Sequence, residues 1–95
     1  MPEPVKGGKI AAFKGSSGAE LELSIDGDTQ CFSIIGKTMN ESGDLNDVSE
    51  EYQVDDFASK SEMALHAHEE FVRLVDSSLM AALAYVKKLN ADRQG

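Results

Sequence analysis

The chain reads as an α+β domain: an N-terminal antiparallel β-meander of three or four strands, then one long C-terminal α-helix, with two copies paired as a dimer. Three observations predict it. Residues 19–26, "AELELSID", alternate apolar and polar with period two, and 29–37, "TQCFSIIGK", follow across an Asp-Gly turn. From Ser59 to Lys88 no Gly or Pro interrupts an apolar repeat of seven. That repeat outruns what a small sheet can cover, so its surplus surface calls for a partner.

Residues 1–8 hold both prolines and two glycines and read as a flexible arm. The single α+β domain then spans 9–95, with the sheet over 9–54 and the helix over 57–91. "KIAAFK" (9–14) is a first short strand, closed by "GSSG" (15–18), a turn by composition. In 19–26, Leu21, Leu23 and Ile25 share the core face, while Glu20, Glu22 and Ser24 form the wet one. "DGD" (26–28) suits a tight type I′ hairpin, because that turn needs positive φ at both central residues. In the partner strand, Phe32 and Ile34 face the core; Cys31, Ser33 and Ile35 face away. "VSEEYQV" (48–54) alternates through Val48, Tyr52 and Val54 and fits a fourth, edge strand, where acidic residues discourage edge-to-edge aggregation.

"SKSE" (59–62) is a capping box with Ser59 as N-cap and Glu62 reaching back; Asp55 or Asp56 would cap a slightly earlier start. Leu65, Val72, Leu79 and Val86 recur every seven residues, and His68, Val75, Ala82 and Leu89 follow three later. This a/d seam is the expected dimer interface. Phe71, Leu83 and Tyr85 widen the stripe, as a helix that also packs on a sheet requires. "DSS" (76–78) offers a break into two helices, but the unbroken heptad register across it favours one. Thirty helical residues span roughly 45 Å, against about 20 Å for a typical strand.

Composition narrows the chemistry. One cysteine excludes an intramolecular disulfide and any multi-cysteine metal site. The N-terminus lacks the apolar core of a signal peptide, and the longest apolar run, "LMAALAYV", is far short of a membrane span. A cytoplasmic, intracellular protein without membrane contact is the simplest expectation. The net charge of −8 argues against direct binding to nucleic acid. The acidity is concentrated: residues 1–40 carry net −1, 41–72 net −9 and 73–95 net +2.

Glu62, His66 and Glu70 share a helical face, but three such groups without an H-E-x-x-H pattern fit a wet face better than a zinc site. Residues 40–51 can be laid on a calcium loop from Asn40 to Glu51, yet Leu45 stands where its sharp turn needs Gly. No nucleophile elbow, P-loop or dinucleotide fingerprint occurs. The expectation is therefore a non-enzymatic protein with neither metal nor cofactor. What remains is "MNESGDLNDVSEEYQVDDF" (39–57), with seven carboxylates and no Lys or Arg. Glu41, Asp44, Asp47, Glu50 and Glu51, with Tyr52 as anchor, form a candidate recognition surface for a basic partner protein. The expected function is a small acidic inhibitor or regulator that occupies a basic, nucleic-acid-binding surface. The alternative is an assembly subunit forming ordered oligomers through its helix and sheet edges.

Overall fold

A computed structural model describes residues 7–15 and 18–94. Four strands, β1 (Gly8–Lys14), β2 (Glu20–Ile25), β3 (Phe32–Met39) and β4 (Leu45–Tyr52), form one antiparallel sheet in sequential order. A single 3-10 turn (Val54–Asp56) leads into α1 (Lys60–Gln94). The expected α+β meander and long helix are thus present, with four strands, the larger of the two numbers expected. The arm expected over 1–8 lies outside the described residues except for Gly7 and Gly8, and Gly8 already opens β1. The centre of "GSSG" lies outside them too.

Alternation sets the sheet's inner face. Leu21, Leu23 and Ile25 on β2 and Phe32 and Ile34 on β3 are buried. Ile35, one step out of phase, is 59% exposed on the opposite face. The β2–β3 connection differs from the tight turn expected. The Asp26 carboxylate accepts backbone N–H bonds from Asp28 (2.8 Å) and Thr29 (3.0 Å), and Gln30 closes the loop at φ 60°. These bonds favour the carboxylate form and hold Asp26 below its usual range. With four residues so organised, Cys31 sits before β3 rather than within it.

The β3–β4 hairpin moves the last strand three residues earlier than expected. Asn40 Oδ1 accepts the N–H groups of Ser42 (2.9 Å) and Asp44 (3.0 Å), an Asx turn that Gly43 completes at φ +87°. A Cβ at Gly43 would lie 2.6 Å from the Tyr85 ring, so glycine also lets this hairpin sit against the helix.

α1 covers the inner face, running beside β3 in the same direction. Met63, Ala67 and Phe71 join β2 and β3 in the core, and Leu74 packs against it. Farther along, the buried Ser78 hydroxyl accepts the Met39 N–H at 3.0 Å, closing the end of β3. Ser59 is the N-cap: its Oγ accepts the Glu62 N–H at 3.1 Å. Asp55 and Asp56 lie instead in the preceding 3-10 turn, so the helix starts at Lys60, not at 57. It passes through 76–78 unbroken. Thirty-five residues make it about 52 Å long, whereas the eight residues of β3 reach about 27 Å. The radius of gyration is consequently 16.4 Å, against about 12.4 Å for a compact chain of 95 residues.

Candidate functional site

Two surfaces stand out. The first is the outward face of α1. Leu65 (60% exposed), Val72 (63%), Leu79 (50%), Val86 (49%) and Leu89 (46%) lie along it with Leu83. At 3.6 residues per turn, Leu65, Val72, Leu79 and Val86 lie about 100–160° around the helix from the sheet-facing side, and Leu89 about 40°. The other half of the expected seam borders the core face: Val75 packs against the core and Ala82 is half-buried. His68 is exposed, with its ring edge-on to Phe32 at 6.1 Å and Nδ1 2.7 Å from the Ala64 carbonyl oxygen. Phe71 and Tyr85 belong to the sheet side, whereas Leu83 widens the outward stripe.

Met63, Ala67, Leu74 and Ser78 were missed as the core face. A strict heptad count follows the strongest apolar repeat, and that repeat points outward. Spacings of four and three from Met63 through Ala67, Phe71 and Leu74 to Ser78 are the signal that would have found them.

The second surface is the acidic edge, and the structure divides its six expected residues. Glu41 and Asp44 are exposed on the β3–β4 hairpin. Asp47 and Glu51 point from β4 to the outer sheet face. There Lys14, Glu20, Lys37 and Asp47 form one cross-strand row of alternating sign, which offsets part of Asp47's charge. Glu50 and Tyr52 point the other way, toward α1. Tyr52 is half-buried and donates a hydrogen bond to Glu50 at 2.5 Å. Its ring packs edge-on against His66 (5.1 Å) and Phe57 (6.4 Å). Burial raises the Tyr52 pKa above its ordinary value, and the bond to Glu50 raises it further. Tyr52 is thus a clasp between β4 and the helix, not an exposed anchor.

His66 is held by those rings, and Glu70 pairs with Arg73 through Nη2 and through Nε at 3.0 Å. Arg73's hydrogen bonds hold the Glu70 carboxyl below the usual carboxylate range. Among the described residues no three His, Cys, Asp or Glu side chains are grouped to hold a metal ion. None of Glu41, Asp44, Asp47 and Glu51 is in an ion pair among them; the pairs present are Lys9–Glu22 and Glu70–Arg73.

The concavities are shallow. Two of about 290 and 280 Å³ flank Ile35 on the outer sheet face, and an apolar one of about 210 Å³ lies between Ile25, Phe32, Met63 and Ala64. Among the described residues, no helix is long and apolar enough to cross a membrane. No family model, curated protein or solved structure matches this chain.

Proposed function

We propose that this protein is a small, acidic, non-enzymatic binding protein that works as a homodimer joined through α1. The acidic hairpin and outer β4 edge of each copy occupy a basic, nucleic-acid-binding surface of a partner protein, as an inhibitor or regulator does. One observation carries the reading: an apolar stripe about 36 Å long on α1, six of whose side chains are 46–63% exposed. Contiguous apolar surface on this scale marks a contact site. Glu41 and Asp44 on the β3–β4 hairpin and Asp47 and Glu51 on the outer sheet face are not part of that stripe, so in this reading the dimer leaves them exposed.

The test is binding to a basic partner captured from the native host. Affinity must fall as salt rises, because exposed charges are screened. It must fall again when Glu41, Asp44, Asp47 and Glu51 are replaced by their amides. Binding indifferent to salt and to those four changes rejects the acidic-surface reading.

A second reading, an assembly subunit, draws on the sheet's edges. β1 and β4 each pair on one side only among the described residues, and unpaired strand edges are templates for further pairing. Light scattering separates the two readings, because assembly through edges gives species larger than a dimer.

A further inference from the structure

We propose that the occupant of the α1 stripe is a second copy running antiparallel, with the two-fold axis at the level of Ser77. The inference rests on the homodimer reading and gives it a register. Both orientations bring the seam residues together, so the apolar repeat alone does not choose between them. In the antiparallel register residue i stands level with the partner's residue 154 − i, which pairs a positions with d positions throughout. Leu65 meets the partner's Leu89, His68 the partner's Val86, Val72 the partner's Ala82, and Val75 the partner's Leu79. No seam position is left over at either end.

Two physical arguments select this orientation. The first is charge. Flanking the seam, Glu69 and Asp76 lie between Leu65 and Ser77 and Lys87 lies between Ser77 and Leu89, while Glu70, paired with Arg73, and Lys88 lie on the other side of the helix. Antiparallel pairing sets the acidic half against the basic half at both ends. Parallel pairing aligns the two acidic halves and brings the net −9 blocks of residues 41–72 to one end of the dimer, which like-charge repulsion disfavours. The second is volume. A parallel seam stacks Ala82 on Ala82 and His68 on His68. The antiparallel seam sets Ala82 against Val72 and His68 against Val86, so large faces small and polar faces apolar. The orientation also uses the overhang. The segment beyond Tyr85, which runs past the sheet, lies along the sheet-bearing half of its partner, on a face centred about 100° around the helix from that sheet.

Disulfide trapping tests it. Cys31 is replaced by Ser, because it is the single native thiol. Cysteine is then placed at position 65 in one preparation (Leu65→Cys) and at position 89 in another (Leu89→Cys). Both side chains are exposed, so neither change disturbs the core. On mild oxidation the expected result is a covalent dimer only when the two preparations are mixed, since positions 65 and 65 lie about 36 Å apart along an antiparallel pair. Cross-linking of each preparation with itself overturns the orientation and leaves the dimer standing. A dimer mass for the parent chain without any cross-link overturns the register. A monomer mass in sedimentation equilibrium overturns the homodimer reading on which the proposal rests.

Discussion

Two faces of one helix differ sharply in this protein. The sheet-facing side of α1 runs through Met63, Ala67, Phe71, Leu74 and Ser78, a mixture of large, small and polar groups. The outward side runs through Leu65, Val72, Leu79 and Val86, a more uniform and more hydrophobic series. On composition alone the outward series looks like the core. On the sheet-facing side Ala67 is fully buried in the core between Met63 and Phe71, and the Ser78 hydroxyl accepts the Met39 N–H at the end of β3. The outward series has no sheet to fit, and its strict repeat suits a second helix. Inner changes should therefore unfold the chain, and outer ones should act on association.

The sharpest test of the inner face is Phe71→Ala, which removes a buried ring between α1 and the sheet. The expected loss is about 3–5 kcal/mol, read as a shifted urea midpoint. Ser78→Ala strands the buried Met39 N–H and should cost about 1–3 kcal/mol; an unchanged melting curve would remove the polar clasp from the account. Ser59→Ala deletes the N-cap, for about 1 kcal/mol.

Smaller still is Glu70→Gln, about 0.5 kcal/mol at neutral pH, for a pair whose Arg73 end is exposed and whose Glu70 end is half-buried. The pair depresses the folded pKa of Glu70 below its ordinary 4.5. Its contribution is therefore present above that value and vanishes as pH falls through the folded pKa. The variant and its parent should converge in acid. On the outer face, Leu79→Glu should change monomer stability by no more than about 0.5 kcal/mol. It should abolish both the dimer mass and any dependence of Tm on protein concentration. An unchanged mass and fold would sink the outward seam as a dimer interface.

How far these features could be read without coordinates depended on how local their causes are. The β2 alternation and the Ser59 cap were legible, since each rests on neighbours within four residues. β4 was misplaced because the Asn40 turn was not recognised, although Asn40 and Gly43 carry its chemistry. The acidic surface was read as one face, but a strand alternates. Glu50 and Tyr52 therefore turn toward α1, while Asp47 and Glu51 turn outward. Tyr52, expected as an anchor, is half-buried against His66 and Phe57.

By itself the sequence determined the meander, the helical character of the last third and the concentration of charge in 41–72, while the structure decided that the helix runs unbroken through 76–78. Period-two alternation, a heptad free of Gly and Pro, and formal charge are all properties of the chain as written. Only the tertiary structure decided which apolar stripe of α1 meets the sheet and which is left exposed. Both stripes satisfy helical periodicity, and the choice falls to the fit of Ala67, Phe71 and Ser78 against β2, β3 and the Met39 N–H. That fit is a property of two surfaces brought together, and neither surface carries it alone.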